Sequence, residues 1–153
     1  MPVEKVEVDG LIGLVRQTLE ISKMLRPEGF LWFRGLNQAH YGLVPKIMRS
    51  GKSIEEVLNR EARLMTRFRQ RSLAYWPDGY PQNNWEHLFA MQHFGLPTRL
   101  LDWSENLFVA TYFASIEPKD VGPIFSGDCP VVWCFDPVAC EVDPIGWTGI
   151  GVT

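Results

Sequence analysis

Cysteine is scarce in this sequence, which contains only Cys129, Cys134 and Cys140. Their number is odd and they are clustered, whereas a disulfide framework uses an even number of cysteines spread along the chain. Their spacing also lacks the CxxC pair and the adjacent histidines of a zinc site. The sequence therefore predicts reduced thiols, no metal site and a cytoplasmic location.

Long apolar runs are also missing. No stretch of 18 or more consecutive apolar residues occurs, and a membrane-spanning helix needs about that length or more. The first eight residues, MPVEKVEV, lack the apolar segment of a signal peptide. These patterns predict a chain that has no membrane partner.

The charge balance excludes a surface that is basic throughout. The net charge is −3 and the isoelectric point is about 5.6, which does not suit a protein built wholly for nucleic acid. Walker, GxGxxG and GxSxG motifs are absent as well. One basic feature remains, because Arg60, Arg63, Arg67 and Arg71 recur at helical spacing, with Arg69 nearby. Such a row suits either phosphate contacts or a solvated charged face, and the solvated face is the commoner case.

Apolar and aromatic residues are plentiful, at 46% and 12% of the chain, which excludes the disordered class. The pattern predicts helices over 11–25, from Ser53 to before Pro77, between Asn83 and Gly95, and over 105–115. It predicts strands at 29–35 and 131–135, and a short strand or extended segment at 98–103. No element is predicted beyond Pro137. The expected fold class is α+β, a single domain with several helices packed on a small mixed sheet.

Two of these helices carry specific expectations. Ser53 and Glu56 have the spacing of a capping box at the start of the second helix. Its core face is expected to consist of Ile54, Val57, Leu58, Leu64, Met65 and Phe68. Ser104 is expected to cap the last helix. The nearly continuous apolar sequence of that helix predicts burial on all sides.

Three stretches carry a family likeness. LWFRG stands at 31–35, followed by the polar pair Asn37 and Gln38. Glu61 lies on the predicted long helix with Phe68 seven residues later, and MQHFGLPTRLLDWSENLFVATYFAS stands at 91–115. Together they resemble the FRG domain, which is named for the Phe-Arg-Gly found here at 33–35. The resemblance implies bacterial and phage settings, including phage–host interaction, and does not specify a reaction. It predicts an FRG-like domain at 29–136, preceded by a helical segment at 1–28 and followed by a Gly/Pro-rich tail at 137–153.

Arg34 and Glu61 are charged residues in segments predicted to be buried, and an isolated buried charge costs several kcal/mol. Arg34 could pair with Glu61 or Asp102, or it could bind a phosphate or carboxylate of a ligand. Glu61 could pair with Arg34 or Arg99, or it could act as a catalytic base. These alternatives stay open on the sequence alone.

Further polar residues concentrate between the last two helices. The candidate ligand-binding residues there are Gln92, Thr98, Arg99, Asp102 and Ser104, to which Gln38 is added from the LWFRG stretch. A helix start can bind an anion through its exposed N–H groups, or its polar residues can simply cap the helix. His93 is a candidate general base or a residue that hydrogen-bonds at a helix end.

The order of the LWFRG, LLDWSENLFVATYFA and PVVWCF stretches is similar to that of several ADP-ribosyltransferases. The resemblance implies that Arg34 holds the phosphates or ribose of NAD and that Ser104 supports the nicotinamide ribose. Such enzymes use a later glutamate, and Glu141 is the one downstream. One alternative is a non-enzymatic module that binds nucleic acid, a nucleotide or a partner protein, with Trp32 or Trp103 stacked on a base. The other is a structural domain whose charges form an internal network.

Overall fold

The computed structural model describes residues 4–25, 29–76, 79–116, 129–140 and 150–152. Its helices and strands follow in the order β1 (Glu4–Val6), α1 (Gly10–Ser22), β2 (Trp32–Leu36), α2 (Ile54–Ser72), α3 (Asn84–His93), α4 (Leu107–Ser115), β3 (Val131–Phe135), α5 (Pro137–Cys140) and β4 (Ile150–Val152). Short 3₁₀ turns lie at Ala39–Tyr41, Lys46–Met48 and Leu73–Tyr75. The predicted α+β class is confirmed.

The strands form a mixed sheet in the order β1-β4-β3-β2. β3 pairs antiparallel with both β2 and β4, whereas β4 pairs parallel with β1. The expectation that no element follows Pro137 was wrong, since α5 and β4 lie there. A three-residue strand is stabilised by its neighbours in the sheet, and such pairing leaves no local sequence pattern.

The chain divides into two compact units. We call Met1–Gly42 with Asp102–Thr153 the sheet unit, and Leu43–Leu101 the helical unit. The core of the sheet unit combines side chains from α1, β2, α4 and β3: Leu14, Ile21, Leu31, Phe33, Ala110, Ala114, Val132 and Cys134. In the helical unit, α2 contacts α3 and the turn at Lys46–Met48.

Helix α4 lies unusually close to β2 at Gly35. A Cβ atom added at this glycine would stand 1.7 Å from the main-chain oxygen of Ala110 and 2.8 Å from the main-chain nitrogen of Ala114. Both distances are far below van der Waals contact. Glycine is therefore required here to let the helix backbone touch the strand.

The local signals for the start of α2 and for both ends of α3 are confirmed. The Ser53 side chain accepts a hydrogen bond from the Glu56 N–H, and the Glu56 carboxylate accepts one from the Ser53 N–H, which completes the capping box of α2. The Asn83 side chain accepts from the Glu86 N–H at the start of α3. Gly95, just beyond α3, has a φ of +76°, a conformation that favours glycine.

The expected core face of α2 was wrong in part. Ile54 and Leu58 are 62% and 42% exposed, whereas Val57 and Glu61 are buried. Positions 57 and 61 are one helical turn apart, so they define the centre of the buried side. Ile54 and Leu58 lie at its margins. Helical spacing shows correctly which residues lie on the same side of the helix. It does not locate the centre of the buried side to within one residue.

The expectations for α4 and the segment before it needed more correction. Asn106, not Ser104, caps α4 by accepting from the Phe108 N–H, and residues 98–103 form no strand. Within α4 the buried residues are Ala110 and Ala114, whereas the larger Phe108, Val109, Tyr112 and Phe113 are exposed. The two alanines, one turn apart, lie where the backbone of α4 meets Gly35. Small residues at that contact let the helix approach, and its large residues then point elsewhere.

Native-state alkylation is expected to modify Cys129 and to spare Cys134. Cys134 is buried and Cys129 is partly exposed. Burial raises the pKa of the Cys134 thiol to about 12, so only about one thiol in 10,000 is a thiolate at pH 8, and the thiolate is the reactive form. Mass spectrometry of peptides after iodoacetamide treatment measures both sites, with urea-unfolded protein as the control. Equal native rates would contradict the burial of Cys134.

Candidate functional site

A pocket of about 200 Å³ opens in the sheet unit. Three parts of the chain form its wall, namely the middle of β2, the segment before α4 and the first two turns of α4. The lining residues are Phe33, Arg34, Gly35, Asp102, Trp103, Ser104, Val109, Ala110 and Phe113. Charged, hydroxyl and aromatic groups therefore meet in one concavity.

Arg34 reaches the segment before α4. Its Nη1–H donates to the main-chain carbonyl oxygen of Asp102 at 2.7 Å, and each of the two residues also makes a further interaction. Strand alternation places the Arg34 side chain on the face opposite that of Phe33, which is buried in the core. The hydrogen bond at Nη1 thus goes to the backbone carbonyl of Asp102. The expected ion pair between Arg34 and the carboxylate of Asp102 stays a prediction.

The segment 102–104 is tied to β2 by its main chain. The Ser104 N–H donates to the Phe33 carbonyl at 2.9 Å, and the Phe33 N–H donates to the Ser104 carbonyl at 2.7 Å. The Ser104 Oγ accepts from the Asn106 N–H at 3.0 Å and keeps its own hydroxyl hydrogen as a donor. This bridge holds the Asp102 carbonyl in place, so it also fixes the guanidinium of Arg34.

Aromatic rings support the same wall. The ring of Trp103 meets that of Phe135 edge to face at a centroid distance of 4.5 Å, and Trp32 meets Phe135 at 5.7 Å. In the sheet register Trp32 lies opposite Phe135 and Arg34 lies opposite Trp133. Trp103 is thus a pocket residue whose ring is positioned by packing on β3.

Glu61 and Arg99 form an ion pair within the helical unit. Arg99 Nε lies 2.8 Å from one carboxylate oxygen of Glu61, and the Arg99 N–H donates to the other at 3.0 Å. Glu61 is buried, whereas the Arg99 side chain is 51% exposed. The expected pairing of Glu61 with an arginine is confirmed. A catalytic role for Glu61 stays a prediction.

Gln92 and Thr98 belong to a second polar contact in the helical unit. The hydroxyl of the fully buried Thr98 donates to the side-chain oxygen of Gln92 and accepts from the Leu100 N–H at 3.2 Å. Together with the Glu61–Arg99 pair, these bonds tie the loop after α3 to α2 and α3. These contacts hold the loop after α3 in place. Ligand binding by Gln92, Thr98 and Arg99 stays a prediction.

The remaining predicted residues are dispersed. Gln38 is buried in the sheet unit, and His93 is exposed at the end of α3, with its ring 5.4 Å from that of Phe94. Glu141 lies outside the described residues. Sequence reasoning missed His87, which is buried on α3 with Nδ1 2.8 Å from the Asn83 carbonyl oxygen. His87 precedes Leu88 on the apolar side of α3. That position in the sequence could have indicated that the histidine is buried.

Two classes of site are not found in the part of the chain that the structure describes. No three His, Cys, Asp or Glu side chains there are grouped as a metal site requires. None of its helices is both long enough and apolar enough to cross a membrane. The candidate site is therefore described by its arginine, carboxylate, hydroxyl and aromatic groups.

The comparisons with known proteins bear on this same region. The family model of the FRG domain matches residues 30–121, which is more than half of the chain. All nine residues that line the pocket fall within the match. Neither a curated protein nor a solved structure matches the chain. The chain therefore belongs to the FRG domain family.

Proposed function

We propose that the pocket of the sheet unit binds NAD or a related nucleotide and that the chain uses NAD as an ADP-ribosyltransferase does. The observation that carries the proposal is the guanidinium of Arg34, held at the pocket wall by its 2.7 Å hydrogen bond to the Asp102 carbonyl. A guanidinium that is already oriented loses little conformational freedom when it binds an anion. Arg34 is thus the residue expected to contact a phosphate or ribose of the ligand.

The chemistry of arginine favours a phosphate as its partner. The guanidinium carries five N–H donors in a planar fork that matches two oxygens of a phosphate or carboxylate. The bond to the Asp102 carbonyl uses one of these donors. Lysine has the same charge but not the fork, so Arg34→Lys separates bidentate binding from simple charge attraction.

The size of the pocket limits how much of NAD it can hold. About 200 Å³ lies below the 300–1,000 Å³ or so that a drug-sized ligand fills. The pocket therefore suits one part of the dinucleotide, such as the nicotinamide and its ribose. Trp103 and Phe113 supply aromatic surface for a ring, and the Ser104 hydroxyl supplies a donor for a ribose oxygen.

The proposed reaction breaks the bond between nicotinamide and the ribose carbon that carries it. Nicotinamide leaves, and the ADP-ribosyl group passes to a nucleophile, either water or an acceptor side chain. A carboxylate that hydrogen-bonds the ribose hydroxyls assists this step by stabilising the positive charge that develops on the ribose. Asp102 is an acidic residue of the pocket wall. Glu141 is proposed for the same role. Catalytic roles for Glu61 and His93, which belong to the helical unit, stay separate predictions.

Thermal melting with NAD, ADP-ribose, ADP and nicotinamide tests the binding step. At a ligand concentration of about 100 times Kd, the melting temperature of the wild type is expected to rise by about 5–10 °C. Arg34→Lys is expected to lose most of this rise while its unliganded melt stays close to that of the wild type. Arg16→Lys, at an exposed arginine of α1 in the same unit, is the matched control and should keep the full rise.

Chromatographic detection of released nicotinamide tests the reaction. Release by the wild type and its loss in Arg34→Lys support the transferase. A melting shift without release leaves a nucleotide-binding module and contradicts the enzymatic part. If the wild type shows no shift with any nucleotide, the pocket does not bind this class of ligand and the whole proposal fails.

A further inference from the structure

The arginine row of α2 leads into an aromatic cleft at the C-terminal end of the same helix. Arg60, Arg63, Arg67 and Arg71 project from one side of α2, as residues three and four positions apart do. The last three are exposed and Arg60 is half-buried. Among the described residues, none of the four forms an ion pair or a side-chain hydrogen bond. Positive charge is therefore concentrated along this side of the helical unit.

The aromatic cleft has a volume of about 280 Å³. Its lining residues are Phe68, Arg71, Ser72, Tyr75, Trp76 and Phe94. The ring centroids of Phe68, Trp76 and Phe94 are 6.1–6.2 Å apart, and the Trp76 ring stands nearly perpendicular to the other two. Tyr75 and Phe94 are 78% and 61% exposed. Two large aromatic rings thus remain accessible beside an arginine.

The accessible rings are not explained by the arginines alone. A solvated charged face accounts for the arginines, but it does not explain why Tyr75 and Phe94 stay exposed beside them. A ligand with a flat ring and negative charge suits both features.

We propose that the arginine row and the aromatic cleft together bind single-stranded nucleic acid, with phosphates along the row and a base in the cleft. Arg63, Arg67 and Arg71 follow one another at four-residue steps, a rise of about 6 Å each. This is close to the separation of successive phosphates in an extended strand. Arg71 belongs to both features, so it connects the backbone contacts to the base contact.

The two features select single strands over other anions. In a duplex the bases are stacked inside the helix, so a cleft between aromatic rings cannot reach them. An unpaired base can stack on such rings whatever its identity. An acidic peptide would match the charge of the arginines, but its acidic side chains have no flat ring to stack in the aromatic cleft. A free mononucleotide would use Arg71 and the cleft but not the rest of the row.

Fluorescence anisotropy with labelled oligo(U) and oligo(dT) of about a dozen nucleotides and with a duplex of the same length tests this proposal. Both single strands are expected to bind more tightly than the duplex, and their affinity should fall as salt is raised. Replacing Arg63 and Arg67 by glutamine should reduce the slope of log K against log salt by about 0.7 for each arginine. Arg16→Gln, on α1 in the sheet unit, is the matched control.

Variants of the cleft test the base contact separately. Phe94→Ala is expected to weaken oligonucleotide binding about tenfold without changing the salt slope, because it removes a ring and no charge. Leu73→Ala, at a 66% exposed residue that does not line the cleft, should have no effect. Circular dichroism verifies that each variant is folded. Arg34→Lys should leave oligonucleotide binding intact, which separates this proposal from the nucleotide pocket.

Several results would overturn the inference. They are equal binding of duplex and single strand, equal binding of poly-glutamate, and unchanged affinity when the arginine row is neutralised. Any of these would reduce the surface to a solvated or non-specific basic face. A preference between oligo(U) and oligo(dT) would support single-strand binding and show that the 2′-hydroxyl group or the thymine methyl group contributes, and equal affinity would support recognition of phosphates and ring faces alone.

Discussion

Gly35→Ala is expected to prevent the sheet unit from folding stably. The added methyl group would stand 1.7 Å from the main-chain oxygen of Ala110, 2.7 Å from its carbonyl carbon and 2.8 Å from the nitrogen of Ala114. All three are backbone atoms of α4, and none can rotate away as a side chain can. Because α4 would have to move as a whole, the loss in the free energy of unfolding should exceed about 3 kcal/mol.

Gly13→Ala supplies the matched control for this prediction. Gly13 lies inside α1, and a Cβ added there would meet Val8 at 3.4 Å, an ordinary contact. Alanine is the better helix former by about 1 kcal/mol, so this variant should be as stable as the wild type or more so. Urea unfolding followed by circular dichroism measures both variants. Similar stability of the two would show that α4 does not lie as close to β2 as described.

The result would also explain the Phe-Arg-Gly tripeptide physically. Phe33 contributes to the core, Gly35 admits the backbone of α4, and Arg34 lies between them at the pocket. A folded Gly35→Ala protein that had lost only nucleotide binding would assign the glycine to ligand contact instead. Its effect on stability therefore distinguishes a packing role from a binding role.

Arg99→Ala is expected to destabilise the helical unit by about 3 kcal/mol, because it leaves a buried carboxylate without its counterion. Glu61 would then keep one described hydrogen bond, from the Arg99 main-chain N–H at 3.0 Å. Glu61→Gln is expected to cost less. It leaves a charge only on Arg99, which is 51% exposed and can be solvated. The order of the two effects is the informative part of the prediction.

Arg63→Ala is the matched control for the arginine, since Arg63 is exposed on α2 and makes no described ion pair. Its effect on the free energy of unfolding, measured in urea, should stay within about 0.5 kcal/mol. A double-mutant cycle over Glu61 and Arg99 measures the coupling between them. If Arg99→Ala changes stability no more than Arg63→Ala does, the pair is not structural. Such a result would favour the alternative hypothesis that Glu61 is a catalytic base.

Most features that depend on residues a few positions apart were predicted correctly from the sequence, and the cap of α4 is the exception. The capping box of Ser53 and Glu56 and the Asn83 cap were both identified correctly, because each involves groups within one helical turn. The strands at β2 and β3 were also located, since their aromatic and β-branched residues are characteristic of buried strands. The FRG motif was recognised for the same reason, as it is read directly along the chain.

Features that depend on distant contacts were predicted poorly. The apolar sequence of α4 predicted burial on every side, yet its alanines face the sheet and its aromatic residues are exposed. The partner of Glu61 could be narrowed to two arginines but not chosen, since Arg99 follows it by 38 positions. The aromatic cleft of the helical unit was not anticipated, because its rings come from α2, the turn after it and the end of α3.

The sequence by itself determined the caps that start α2 and α3, the two central strands, the α+β class and membership of the FRG domain family. Only the tertiary structure decided that Arg34 lines a pocket, that Glu61 pairs with Arg99, and that Gly35 lies beneath α4. Caps and periodicity arise from hydrogen bonds and side-chain directions within a few residues, so they are encoded locally. Pockets and ion pairs arise where segments far apart in the chain meet, and that meeting is set by the packing of the whole unit.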